Sequence, residues 1–185
     1  MLEIEMKFPV ADREQLRTKL EALGARLRDV HDEVDHYFNA PDRDFARTDE
    51  ALRLRRIGDT NLLTYKGPKL DAQTKTRVEV EVPLGDGEAS LDHMAELLAH
   101  LKYRPVAVLR KKRTLSHLEY GGFPVEVCLD AVDGLGAYVE LEIMAPESEL
   151  NLARQAVLGL ARWLGLGETE RRSYLEMWLE KHGKT

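Results

Sequence analysis

The pattern that most restricts this chain is an alternation in which charged residues recur at every second position in segment after segment. In an extended strand, successive side chains point to opposite faces. Split by parity, residues 2–8 put Glu3, Glu5 and Lys7 on one face and Leu2, Ile4, Met6 and Phe8 on the other. Residues 51–57 set Arg53 and Arg55 against Leu52 and Leu54, and residues 62–66 continue with Thr64 and Lys66. Arg77, Glu79 and Glu81 oppose Val78, Val80 and Val82, while Lys111 and Arg113 share a face. Glu126, Cys128 and Asp130 oppose Val125, Val127 and Leu129, and Glu140 and Glu142 oppose Leu141 and Ile143. A half-buried antiparallel sheet with its polar face in water accounts for any one of these strands. It accounts poorly for all of them together, because solvated faces mix in Thr, Ser and Gln, whereas Glu, Arg and Lys dominate here.

Between the strands, helical spacing recurs. Leu16, Leu20 and Leu23 predict a helix over 12–23, with Asp12 as N-cap and Gly24 as stop. Met94, Leu97, Leu98 and Leu101 predict a second over 91–101. Ala153, Ala156, Val157, Leu160 and Trp163 predict a third over 148–164, and a fourth covers 171–181. Strands are expected at 2–8, 26–39, 51–57, 62–66, 75–82, 105–117, 123–129 and 137–144, with a polar loop at 40–50. No linker or repeat divides the chain, so residues 1–185 are read as one domain.

Four helices need apolar surface to pack on, and the uncharged face of the sheet is the only candidate. About eight strands suffice to close a sheet and remove its edges. The expected fold is therefore α+β: a closed eight-stranded antiparallel β-barrel, or tunnel, with a charged interior and helices packed outside. Charge in a lumen is costly unless it is paired or bound. Seven cations (Lys7, Arg53, Arg55, Lys66, Arg77, Lys111, Arg113) face eight carboxylates (Glu3, Glu5, Glu79, Glu81, Glu126, Asp130, Glu140, Glu142). Two divalent ions and a triphosphate of about four negative charges would leave that balance unchanged. Carboxylates at alternate positions offer hard oxygen ligands for Mg²⁺ or Mn²⁺, and Arg forks with Lys grip phosphate oxygens.

Composition excludes several alternatives. A formal net charge of −6 argues against a nucleic-acid binder, which carries a basic footprint. No apolar run reaches the ~20 residues of a membrane span, and the strand-like opening is read as excluding a signal peptide. A single cysteine, Cys128, excludes an internal disulfide framework and suggests a reducing compartment, the cytoplasm by default. Cys128 is read as a space-filler without a redox role, and the six histidines form no metal-spacing motif.

With these residues in place, the chain resembles the CYTH family of class IV adenylyl cyclases and thiamine triphosphatases, the triphosphate tunnel metalloenzymes. Glu3-x-Glu5-x-Lys7 is similar to that family's opening signature. In order follow Asp35-His36-Tyr37-Phe38, Ala51-Leu52-Arg53-Leu54-Arg55, Thr64-Tyr65-Lys66-Gly67-Pro68, Arg77-x-Glu79-x-Glu81, Lys111-x-Arg113, and Asp130 with Gly134-Leu135-Gly136 and Glu140-x-Glu142. The resemblance implies that Glu3, Glu5, Asp130, Glu140 and Glu142 bind metal, two Mg²⁺ or Mn²⁺ ions. It implies that Lys7, Arg53, Arg55, Lys66, Lys111 and Arg113 bind phosphate. Arg77, Glu79 and Glu81 are either salt-bridge scaffolding or secondary ligands, Arg77 of phosphate and the two glutamates of metal. Lys7, Tyr37 and Lys111 are the candidates for catalysis. Tyr37 either orients an attacking water or hydroxyl or makes a wall hydrogen bond. Arg172 either reaches a phosphate from a C-terminal plug helix or lies on that helix's surface.

Leu101-Lys102-Tyr103-Arg104-Pro105 and Arg172-Ser173-Tyr174-Leu175 resemble the class IV adenylyl cyclase-like branch. That branch implies conversion of ATP to cyclic AMP and pyrophosphate. Hydrolysis of inorganic triphosphate, thiamine triphosphate or a nucleotide uses the same residues and stays open, as does a non-catalytic polyphosphate- or nucleotide-binding module. The expected partner is a triphosphate-bearing small molecule, with no nucleic acid and no membrane; an oligomer is left open.

Overall fold

The computed structural model describes residues 2–70 and 76–183. Its strands are β1 (Leu2–Pro9), β2 (Arg26–Asn39), β3 (Ala51–Ile57), β4 (Thr60–Lys66), β5 (Glu79–Pro83), β6 (Arg104–Tyr120), β7 (Phe123–Val132) and β8 (Gly136–Ala145). The helices are α1 (Arg13–Ala22), α2 (Phe45–Thr48), α3 (Glu88–His100), α4 (Leu150–Leu164) and α5 (Tyr174–His182). Each begins or ends where local chemistry dictates. The Asp12 carboxylate accepts from Gln15 N at the start of α1, and α4 stops where Gly165 turns left-handed at φ 74°. Helix α5 starts later than the predicted residue 171, because Ser173 and Glu176 form a reciprocal capping box there. The short α2 lies inside the expected polar loop, capped by Asp44 onto Ala46 N and ended by Asp49 at φ 56°.

All eight strands are antiparallel and form one sheet in the order β1-β8-β7-β6-β2-β3-β4-β5. The sheet curls until its two edges approach, and Glu3 bridges Arg77 in isolation between them. The expected closed barrel is thus a curled sheet joined across its seam, among the described residues, by that single bridge. The physical reason is the brevity of β5. Its ladder with β4 begins only at Glu79, leaving Arg77 outside the strand. Lys75, where the predicted strand began, lies outside the described residues.

The apolar face points outward and is covered in two patches. Helices α4 and α1 bury Ile4, Met6, Phe8, Val125, Val127, Leu141 and Ile143, with Val157, Leu160 and Leu164 contributed by α4. Helix α3 covers Phe38, Leu52 and Leu54 with Leu91 and Leu98. Helix α5 departs from the expectation that helices pack outside. Its Tyr174 and Met177 pack with Tyr37, Leu109 and Val132, residues on the inward face of β2, β6 and β7, so it caps the lumen. No described helix is long and apolar enough to cross a membrane.

Candidate active site

The register sorts the inward charge into two walls. On β1, β8 and β7, Glu5 lies opposite Glu142 and Glu142 opposite Glu126. Like charges facing one another across strands repel. Carboxylate oxygens of Glu3, Glu5 and Glu142 all lie within 4.8 Å of one another. Burial pushes Glu3 up to about 7, with Glu79 and Glu5 adding to the effect and Lys66 opposing it. Burial likewise raises Glu142 well above the carboxylate range, reinforced by Glu3 and Glu5. Glu126, Cys128 and Glu142 form a second group of the same compactness. The Cys128 thiol is buried and donates to Glu126 Oε1 at 3.6 Å, so it hydrogen-bonds as well as filling space.

The opposite wall is cationic, but most of its cations are already engaged. Arg55 grips Asp35 bidentately, Nε to Oδ1 at 2.6 Å and Nη2 to Oδ2 at 2.8 Å. Arg113 does the same to Asp130 at 2.7 and 2.6 Å and also contacts Glu140. Lys111 Nζ lies 3.1 Å from Asp130 Oδ2. Glu33, only 2% exposed, sits among these cations. Its Oε2 is 2.9 Å from Arg55 Nη1 and 3.2 Å from Lys111 Nζ, charge contacts without hydrogen-bond alignment. Arg113 Nε is 3.8 Å from Glu33 Oε1, and His31 Nε2 is 2.9 Å from the same oxygen. Burial would raise the Glu33 carboxyl, but Lys111, Arg55 and Arg113 outweigh it and hold it at about 2. Asp35 is likewise held well below its usual range by Arg55 and Arg53 against its burial.

Arg53 and Arg77 are held more loosely. Arg53 reaches Thr64 at 3.5 Å and Asp35 at 3.7 Å, and Arg77 Nε is 3.9 Å from Glu79. The Nε of each is buried without a hydrogen-bond partner. Lys66 pairs with Glu79, and Glu81 accepts from Thr64 at 3.1 Å. Lys7 is fully buried; it donates to the Arg172 carbonyl, with its Nζ 4.0 Å from the centre of the Tyr174 ring. Tyr37 lies opposite Arg53, and burial pushes its phenol up to about 12, keeping it a donor.

A cavity of about 570 Å³ runs between the walls. Its lining includes the charged residues Glu3, Glu5, Glu142, Arg53, Lys66 and Arg77 and the apolar residues Phe45, Pro105, Val106, Leu175 and Leu179.

Of the sequence-predicted residues, Tyr37 and Glu81 line the cavity, whereas Lys7 is fully buried, donates to the Arg172 carbonyl and is not among the residues lining it. Glu3, Glu5 and Glu142 come together as an oxygen cluster, and Arg53, Arg55, Lys66, Arg77, Lys111 and Arg113 line the same cavity. Asp130 and Glu140 are drawn to Lys111 and Arg113 instead of the oxygen cluster, and Glu79 to Lys66. The Arg172 side chain, half exposed, pairs with Glu170 and Glu180, and only its carbonyl reaches inward. Glu33 stands outside the predicted sets, although parity puts it on the same face as Asp35, two residues on. Tyr174, expected only as part of the Arg172–Leu175 motif, donates its hydroxyl to Asp130 at 3.0 Å because α5 enters the lumen.

The curled antiparallel sheet thus sets a carboxylate cluster and a cation-rich wall around one cavity. A CYTH domain model matches residues 1–174, and the chain belongs to the CYTH family. A Methanocaldococcus jannaschii protein, provisionally named an adenylate cyclase, is 34% identical over 96% of this chain and 98% of its own. Adenylate cyclase CyaB of Aeromonas hydrophila is 29% identical over 93% of this chain and 86% of its own. A solved Pyrococcus horikoshii structure superposes with a TM-score of 0.85 at 36% identity, covering 97% of this chain and 99% of that one.

Proposed function

We propose that this chain is a divalent-metal-dependent enzyme acting on a triphosphate, and that its reaction is class IV adenylyl cyclase chemistry: ATP to cyclic AMP and pyrophosphate. The observation that carries this reading is the pairing, within one cavity, of the Glu3/Glu5/Glu142 oxygen cluster with the loosely held guanidiniums of Arg53 and Arg77. The three carboxylates fit hard divalent ions, since their oxygens converge within 4.8 Å and burial with mutual repulsion raises Glu3 and Glu142. When bound, Mg²⁺ or Mn²⁺ supplies charge neutralisation and Lewis acidity to the phosphates. Arg53, Arg77 and Lys66 bind phosphate oxygens from the other side. Tyr37, a donor beside Arg53, orients the group they hold. The apolar residues of the lining give the nucleoside a surface to rest on, in a cavity within the range of sizes that small ligands fill.

A second reading, hydrolysis of the triphosphate, draws on a Hippeastrum protein that shares this fold at 16% identity and is described as a provisional adenylyl cyclase with a dominant triphosphatase activity. One experiment separates the two. Purified protein is incubated with ATP, inorganic triphosphate and thiamine triphosphate, each with Mg²⁺ or Mn²⁺, and the products are resolved by chromatography. Cyclic AMP with pyrophosphate supports the cyclase; orthophosphate without cyclic nucleotide supports the hydrolase. Turnover that survives both Glu3→Gln and Glu142→Gln would remove the oxygen cluster from the site.

A further inference from the structure

We infer that Glu33 is an internal counter-anion that sets how tightly the lumen grips a polyphosphate. The inference rests on the triphosphate reading above and concerns a residue outside the predicted phosphate and metal sets. The carboxylate lies at the centre of Arg55, Lys111 and Arg113, between 2.9 and 3.8 Å from each, with His31 at 2.9 Å. That is the arrangement a phosphate would take among the same cations, since both are oxyanions matched to guanidinium and ammonium donors. A phosphate entering there must displace Glu33 or share its cations. The chain has therefore filled part of its own anion track, leaving Arg53 and Arg77, whose ion-pair contacts among the described residues are long at 3.7 and 3.9 Å, as the less engaged guanidiniums lining the cavity.

The charge of that wall gives this a direction. Arg55, Lys111 and Arg113 line the cavity but are already engaged by Glu33, Asp35 and Asp130. A bare triphosphate meets cations already neutralised, while one arriving with divalent ions brings its own counter-charge. Glu33 thus makes binding depend on metal and weakens the hold on the polyanion. A residue that only braced the fold would act the opposite way on removal, loosening the site and weakening binding.

The test is calorimetric titration of inorganic tripolyphosphate into the full chain, in EDTA and in Mg²⁺. Glu33→Gln, which keeps shape and removes charge, is expected to tighten metal-free binding roughly tenfold or more, the weight of one charge-assisted contact. Glu33→Asp, which keeps the charge, stays near the native affinity. Unchanged or weaker binding by a folded Glu33→Gln protein overturns the inference, as does equal tightening by Glu33→Asp. Should Glu33→Gln fail to fold, the same change is made in a Lys111→Met background, which restores the local charge balance; no tightening relative to Lys111→Met alone overturns the inference. If the native chain binds no tripolyphosphate even with Mg²⁺, the triphosphate reading itself falls; native binding with an unaffected Glu33→Gln overturns only the role of Glu33.

Discussion

Replacing Glu3 by Gln should stabilise the metal-free protein at alkaline pH, the reverse of what removing a buried charge partner does. Glu3 is half-buried against Glu5, Glu79 and Glu142, and its carboxyl is moved from 4.5 to about 7. A carboxyl whose folded value is raised binds its proton more tightly in the folded than in the unfolded chain. Stability is therefore unaffected below about 4.5, falls as pH climbs through the interval, and stays reduced above about 7. At ~1.4 kcal/mol per pH unit, that interval corresponds to about 3 kcal/mol, trimmed to about 2 by the partial solvent access of the group. For a chain of this length, about 2 kcal/mol moves Tm by roughly 4–8 °C. The assay is thermal unfolding in EDTA from pH 4.5 to 8.5 for the native chain and Glu3→Gln. Native Tm should decline across that range, Glu3→Gln should flatten the decline and melt higher at pH 8, and Mg²⁺ or Mn²⁺ should raise the native protein toward the variant. A flat native profile, or a Glu3→Gln protein that melts lower at pH 8 in EDTA, would refute the reasoning that the three carboxylates crowd one another.

Two further perturbations separate binding from scaffolding. Arg53→Met should keep the fold and lower kcat/KM on the preferred triphosphate by roughly 10- to 1,000-fold, the loss of one charge-assisted contact; an unchanged value by steady-state kinetics removes Arg53 from the site. Asp130→Asn should destabilise by about 3–5 kcal/mol, because Asp130 is fully buried between Lys111, Arg113 and the Tyr174 hydroxyl, and its loss leaves two buried cations with only Glu33 and Glu140 as counter-charge. A change below about 1 kcal/mol in denaturant unfolding would show that those cations find other partners.

Much of this architecture was legible because a strand has a period of two. Parity alone placed Glu3, Glu5 and Glu142 on one inward face and Ile4, Leu141 and Ile143 on the outward one, and the ladders confirm those faces. What parity cannot supply is height. Which carboxylate meets which cation depends on the stagger between neighbouring strands. Thus Asp130, grouped by sequence with the metal ligands, lies opposite Arg113 and is claimed by it. Helix α5 was expected over 171–181 with a plug left as one alternative, and its inward position rests on contacts with Tyr37 and Leu109, more than sixty residues distant, that no local window contains. The seam is similar: Glu3 meets Arg77 through curling of the whole sheet.

The pairing of β1 with β8 has a consequence for how the chain comes to be folded. Residues 2–9 find their ladder partners only at 138–145, so β1 waits for β8. Until then its apolar face lacks the cover of α4 and its backbone edge is unpaired, which is the kind of segment that invites pairing with another chain. A sheet closed by contacts this remote folds slowly for its size, because the loop must be drawn together before those contacts form. Helix α5 comes later still, so the lumen is walled before it is capped. Translation leaves an interval in which the cavity stands open at the end where Tyr174 will seat.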